Sequence, residues 1–347
     1  MNGSGRPRVA VTGVGLITPL GASADEVLSR IDAGASAAAA PTGFDASCFP
    51  CQLCAEIADF AVGDYVGDTK TLRLMNRDAQ LAVAAARLAV RDARLTVGKD
   101  YADEDIALYG STGMASMPAA EVVRLVRHAA SDDGSLDLKR FGEVALKRVR
   151  PVLSFKILSN MPICFVSIFE GIRGPNAVYT PWEGQGVQAI TAGLQAVRRG
   201  DVPCALVGGC DVKTNELAFL ALAQQSAFDA WSAGRVRTVP GEGSAFLVLE
   251  DEAHAQSRGA RVYATLSSET ELAEVDLVVA AGSGENSASD CGRIYPKAHL
   301  GDLFAAAAAV QVALAAVLAG RLGSSQRAMA ECFGHGGEGG TFVLESA

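Results

Sequence analysis

The residues best placed to do chemistry in this chain of 347 residues lie in one passage, Gly171 to Ile190, GIRGPNAVYTPWEGQGVQAI. Turn-forming Gly174-Pro175-Asn176 leads into an apolar run, Ala177-Val178-Tyr179-Thr180. A corner follows, Pro181-Trp182-Glu183-Gly184-Gln185-Gly186, and then a helical pattern from Val187. A strand, a glycine-lined corner and a helix N-terminus present one side chain where free N–H groups and the helix dipole stabilise negative charge. Such a corner suits a nucleophile. The side chain here is Glu183, a poor nucleophile for acyl chemistry, because its attack gives a mixed anhydride that water cleaves.

Other reactive residue types show weaker patterns. Cys48, Cys51 and Cys54 form CxxCxxC, a spacing that can begin a metal site. No fourth ligand follows nearby, and His128, His254, His299 and His335 have no paired ligand spacing. The alternation of CQLCAEI reads instead as a short strand, and no metal is expected. Cys164, Cys204, Cys210 and Cys332 sit in apolar runs and read as reduced core thiols. Lys139, Arg140, Lys147, Arg148 and Arg150 form a basic run. It reads as a solvated helix face, or as a docking patch for an acidic carrier protein.

The elements that must position these residues alternate between strand and helix. Apolar strand patterns cover 8–20, 106–112, 177–180, 204–209, 244–250, 261–266, 275–280 and 341–345. Helical spacing covers 24–33, 72–95, 187–199, 216–227 and 303–321. The helices at 72–95 and 303–321 are rich in Ala and apolar nearly all round, which places them between sheets. The chain is therefore read as a layered α/β protein. Residues 1–250 form one half and 251–347 a shortened second half. Hydrophobic residues make up 49% of the chain and the formal charge is −9. Nucleic acid is not the expected partner of so acidic a chain. No apolar run reaches the roughly 18 residues of a membrane span, and the N-terminus has no signal-peptide pattern, so a cytoplasmic location is expected.

Eight segments in order resemble the β-ketoacyl–acyl carrier protein synthases of the thiolase fold. They are RVAVTGVGLITPLG from Arg8, Phe44-Asp45, GIRGPN, ALVGG, Phe228-Asp229, GEGSAFLVLE, Pro296-Lys297 with Gly301, and FGHGGEGG from Phe333. The resemblance implies an αβαβα sandwich of two pseudo-repeated halves. It also implies a Cys nucleophile in T-A-C-x-x-G, a His after a strand in V-N-A-H-G-T, and a second His five residues after a Lys. Matched residue by residue, Glu183 stands at the Cys position, Ala281 at the first His and Asp302 at the second. Lys297 is retained.

Each replacement removes a step of the condensation that the resemblance implies. Without a thiolate there is no acyl-enzyme. Without imidazoles nothing stabilises the enolate left by decarboxylation of malonate, and Asp302 repels it. Within the family the pattern is most like the chain length factors of type II polyketide and polyene synthases, which usually carry Gln where Glu183 stands. That likeness implies a non-catalytic subunit in a heterodimer with an active ketosynthase. Its substrates ride on the phosphopantetheine of an acyl carrier protein, and no cofactor of its own is expected. Residues 177–180 then form the dimer interface, with Ala177, Val178, Tyr179 and Thr180 pairing across a twofold. Met114, Met117, Met161, Phe165 and Phe169 are the candidate lining of an acyl tunnel, and Phe333 and His335 its gate. The alternative is a stand-alone synthase-like acyltransferase or decarboxylase with displaced catalytic residues.

Overall fold

The computed structural model describes residues 7–67, 69–114, 118–149, 151–181, 184–224, 239–268, 275–282, 292–334 and 338–346. The strands are β1 (Val9–Ile17), β2 (Ala38–Ala39), β3 (Cys54–Ala55), β4 (Ile106–Thr112), β5 (Asn176–Tyr179) and β6 (Cys204–Val212). They continue with β7 (Glu242–Asp251), β8 (Ala264–Ser267), β9 (Leu277–Val279), β10 (Arg293–Ile294), β11 (Arg327–Phe333) and β12 (Gly339–Ser346). The helices of two turns or more are α1 (Ala24–Asp32), α2 (Arg77–Asp92), α3 (Ala119–Ala129) and α4 (Met161–Glu170). After them come α5 (Gly184–Arg199), α6 (Glu216–Gln224) and α7 (Ala307–Ala319).

Ten strands form one mixed sheet in the order β10-β9-β11-β12-β8-β1-β7-β6-β4-β5. The order contains a repeat. In the first half β5, β4 and β6 are parallel, while β7 runs antiparallel to both β6 and β1. In the second half β10, β9 and β11 are parallel, and β12 runs antiparallel to both β11 and β8. Five strands thus recur with the same order and sense, and the halves meet at a short antiparallel seam, Val9–Val11 of β1 against Ala264–Leu266 of β8. The changeover falls after β7, which ends at Asp251.

The layers follow from which helices are apolar on every side. α7 buries eleven of its thirteen residues and packs against strands of both halves, β7 and β11 most of all. Small Ala side chains let it approach both halves of the sheet. α5 lies beside it. On the far face of the first half sits α2, capped by Asn76, whose side chain accepts from the Ala79 amide. It lies so close to β1 that a Cβ on Gly15 would run into the Ala85 carbonyl and the Ala89 amide. Only glycine permits that approach.

The outer face of the second half is built differently. β8 and β9 are joined by residues 268–276, too short for a counterpart of α2, and the long helices that touch this half, α5 and α7, are those of the central layer. Among the described residues, no helix of two turns or more covers the outer face of the second half. The sequence is adapted to water there. Ala328, Ala330, Cys332, Phe342 and Leu344 are buried with α7 in the core. The alternate positions carry Arg327 paired with Glu345 at 3.2 Å, Arg293 with Glu331 at 3.3 Å, and Arg8 bonded to Thr265 at 3.1 Å. Period-two alternation puts these on the opposite face.

Several sequence expectations shift at their edges. The 72–95 helix is divided into Thr69–Leu72 and α2, and 303–321 is a 3-10 turn, Phe304–Ala306, followed by α7. The CQLCAEI strand contracts to β3, with Cys51 and Cys54 both buried. β11 was not anticipated.

Candidate functional site

The corner that opens the sequence argument lies between β5 and α5. Trp182 and Glu183 are outside the described residues, so the geometry begins on either side of them. β5 ends at Tyr179, and α5 begins at Gly184. The first turn of α5 is pressed onto the start of the central layer. A Cβ on Gly186 would stand 2.9 Å from the Ala308 Cβ and 3.1 Å from the Ala305 carbonyl oxygen. Ser111, at the end of β4, donates to that same Ala305 carbonyl at 2.7 Å.

Asp302 lies two residues before the Phe304–Ala306 turn that opens the central layer. It is 1% exposed, and its Oδ2 lies 2.6 Å from Lys297 Nζ, whose side chain is nearly as well buried. Its Oδ1 accepts from the Phe304 amide at 2.9 Å. The Asp302 amide donates to the Val239 carbonyl at 2.7 Å, and its carbonyl accepts from the Gly241 amide at 2.8 Å. A buried carboxylate and a buried ammonium in contact satisfy one another's charge. Lys297 is therefore committed to Asp302 rather than presented as a free cation.

Ala281 lies just past β9. The carbonyl of the preceding Ala280 accepts from Gln311 Nε2 of α7 at 3.2 Å, and this ties the strand end to the central layer. The Phe304–Ala306 turn and α7 thus gather the α5 corner, the end of β9 and the Lys297–Asp302 pair around one end of the central layer.

A second cluster escaped the sequence argument. Asp211, at the end of β6, is buried, pairs with Lys213, and accepts from the Ala305 amide at 3.1 Å. Lys213 Nζ also lies 5.5 Å from the centre of the Phe304 ring. Asp211 and Asp302 therefore hold successive amides of the same turn. Nearby, Glu242 of β7 pairs with Arg77 at 2.8 Å and accepts from the Ile57 amide at 2.8 Å. Asp78, in the first turn of α2, has its pKa pushed up to about 7, by burial first and then by the Asp211 charge. It lines a cavity of about 350 Å³ with Met75, Lys156, Asn215 and Glu216. An Asp after a helix cap reads as an ordinary dipole partner, so Asp78 gave no signal. The pair Asp211 and Lys213 at the end of a buried strand was a signal, two charges where apolar residues were due.

The buried thiols of Cys54, Cys204, Cys210 and Cys332 do not offer a replacement nucleophile. Burial pushes the Cys204, Cys210 and Cys332 thiols far up, and that of Cys54 up to about 12, so each stays protonated at neutral pH. The thiolate is the reactive form.

The remaining sequence candidates fall in different places. Phe165 is buried in the core between α4 and α2, and Met161 and Phe169 are half-buried against the same cluster. Met114 is exposed, and Met117 and His335 lie outside the described residues. Phe333, exposed at the end of β11, pairs in register with Gly339. Ala177, Val178 and Tyr179 belong to β5, the last strand on its side of the sheet. They are half-buried, and Thr180 just beyond is exposed. No helix among the described residues is long and apolar enough to cross a membrane.

The family described as beta-ketoacyl synthase, N-terminal domain, matches residues 6–255. Among curated proteins, the 3-oxoacyl-[acyl-carrier-protein] synthase 2 of Staphylococcus aureus (strain COL) is 27% identical over 269 residues, 75% of this chain and 61% of that protein. That of Coxiella burnetii is 28% identical over 273 residues, with 75% and 61% covered. The chain spans less than two thirds of the length of these relatives. Among solved structures, the ishigamide ketosynthase/chain length factor superposes with a TM-score of 0.78 at 22% identity, covering 99% of this chain and 100% of that one. A type II polyketide synthase complex of ketosynthase and acyl-carrier protein, AntDE:AntF, superposes with a TM-score of 0.75 at 16% identity, covering 99% and 100%. At these identities the likeness is one of fold.

Proposed function

The chain belongs to the β-ketoacyl synthase family, and from that membership we propose that it is a non-catalytic, chain-length-factor-like subunit that pairs with an active ketosynthase. The observation that carries this reading is the buried Lys297–Asp302 pair. Family resemblance puts a neutral, proton-sharing imidazole where Asp302 stands. A carboxylate there repels the enolate that decarboxylation of a malonyl group generates, and its lysine is already neutralised. Ala281 has no polar side chain, and Glu183 at the nucleophile position supports no stable acyl-enzyme. Groups that act as a set lose nearly all activity together.

The free edge of β5 supports the pairing. A strand with an unpaired row of N–H and C=O groups is a template for another chain, and here residues 177–180 would extend the sheet into the partner. In such a complex the partner supplies the chemistry, the acyl carrier protein delivers substrate on its phosphopantetheine, and this chain shapes the space for the growing product. Met114, Met117, Met161, Phe165, Phe169, Phe333 and His335 are the residues proposed for that space.

The test is co-expression with the ketosynthase of the same gene cluster. The expected result is a 1:1 complex, with no CO2 released from malonyl-carrier protein by this chain alone. A lone chain that releases CO2 above buffer would instead establish the second reading, a stand-alone decarboxylating or acyl-transferring enzyme. Asp78, whose acid titrates near neutrality beside Lys213 and Asp211, is the observation that favours that alternative. A Met161→Ala complex that makes longer products would support the tunnel assignment, and unchanged products would reject it for that residue.

A further inference from the structure

Residues 114–160 leave the sheet after β4 and return through α4 as a helical excursion. Its interior is small. Leu125 and Ala129 of α3 are buried with Ala145, against Phe141 and Val149 of the same excursion. Around that core, large apolar side chains face outward: Leu138 is 74% exposed, and Leu136, Leu146, Val152, Phe155 and Leu158 are exposed as well. Six exposed large apolar side chains concentrated in one excursion point to an interaction surface.

The same stretch reverses the charge of the molecule. Between residues 138 and 158 there are six basic residues and one acid, in a chain of net −9. With Arg124 and Arg127 added and Glu121, Asp132, Asp133 and Asp137 set against them, the whole excursion carries +3, still opposite in sign to the rest. Lys139, Arg140, Lys147 and Arg148 are exposed, and none is in an ion pair among the described residues.

The placement of the excursion gives that charge a consequence. Its ends are anchored on the α2 side of the sheet, where Asn76 Nδ2 donates to the Lys156 carbonyl at 2.9 Å and Thr112 Oγ1 to the Ser159 carbonyl at 2.7 Å. The return leg, α4, packs on α2 and hands directly to β5. A twofold that joins two β5 edges antiparallel stands perpendicular to the sheet. It therefore leaves both excursions on the same face of the joined sheet. Two copies of this chain would bring two basic excursions to one side, and like charges across an interface select against that pairing.

We propose that the 138–158 face of the excursion seats an acidic, apolar face of a non-identical subunit, and that its positive charge selects this partner over a second copy of the chain. The inference rests on the pairing reading and adds the chemistry that chooses the partner. The apolar exposure argues for a lasting interface rather than the transient, charge-led docking of a carrier protein.

The experiment uses the full chain with the co-expressed ketosynthase of its gene cluster. Association is measured by surface plasmon resonance from about 50 to about 500 mM salt, for the wild type and for a Lys139→Glu/Arg140→Glu/Lys147→Glu/Arg148→Glu variant. The expected result is association at least about tenfold slower in the variant, a loss of the wild type's salt dependence, and an increase in self-association by sedimentation. A circular dichroism melt matching the wild type shows that the variant is folded. A Leu138→Ser/Phe155→Ser variant should dissociate faster. If the wild type pairs but neither variant nor salt changes the rates, the inference is overturned while the pairing stands. If the wild type does not pair, both fall. Binding of the excursion to phosphatidylserine vesicles or to carrier protein in place of the ketosynthase would also overturn it.

Discussion

At the site, Lys297 and Asp302 form a buried ion pair at 2.6 Å. Removing Lys297 leaves the buried Asp302 carboxylate without its cation, and breaking such a pair costs about 3–5 kcal/mol. Lys297→Met should lower stability by that amount in urea unfolding, and adding Asp302→Leu should restore most of it. A single variant as stable as wild type would show the pair to be incidental. Asp78 supplies a pH dependence with a definite sign. Burial and the nearby Asp211 and Glu242 carboxylates raise its pKa from 3.8 to about 7, against the pull of Lys213 and Arg77. A carboxyl that binds its proton more tightly when folded weakens folding as pH climbs through that window, and costs nothing below it. Asp78→Asn should therefore raise the melting temperature by a few degrees at about pH 8 and leave it unchanged at about pH 4. An equal gap at both pH values would contradict the assignment. The five-residue spacing of Lys297 and Asp302 was legible in the sequence. That the two form a buried pair was not, because spacing fixes neither depth nor direction.

At the scale of the elements, apolar periodicity did most of the work. The Ala-rich runs became α2 and α7, and the buried strands β4, β6 and β7 appear where the pattern puts them. β11 was missed although RAMAECF alternates, because its outward positions carry Arg327, Met329 and Glu331 and its tail runs into glycines. Phe165 shows where residue type is ambiguous. A Phe near a proposed tunnel is also a good core residue, and the structure packs it between α4 and α2 at 3% exposure. Phe165→Ala should cost about 3–5 kcal/mol through the cavity it leaves, read by thermal unfolding of the complex. A change under about 1 kcal/mol would mean that the side chain faces free space.

At the scale of the whole molecule, the two halves share a strand plan and differ in what covers them. Among the described residues, the outer face of the second half carries charged side chains laid across neighbouring strands where the first half carries helices. Such exposed pairs contribute little to stability, typically below about 1 kcal/mol each, so their effect is on solubility. Arg327→Leu/Glu345→Leu should leave urea unfolding nearly unchanged and raise light scattering on concentration. A large stability loss without self-association would refute this account. The repeat itself was legible as alternating strands and helices. The missing layer was visible as a short second half, but not where it fell.

α7 serves both halves of the sheet, and that has a consequence for how the chain is made. A ribosome that has completed residue 251 has produced every strand of the first half, yet the helix that covers much of its inner face begins at Ala307. Through the synthesis of those intervening residues, Val9, Val11, Leu247 and Leu249 have no α7 to pack on. That face stays uncovered while the first half emerges. An open apolar face leaves a nascent polypeptide prone to aggregate until its last helix arrives.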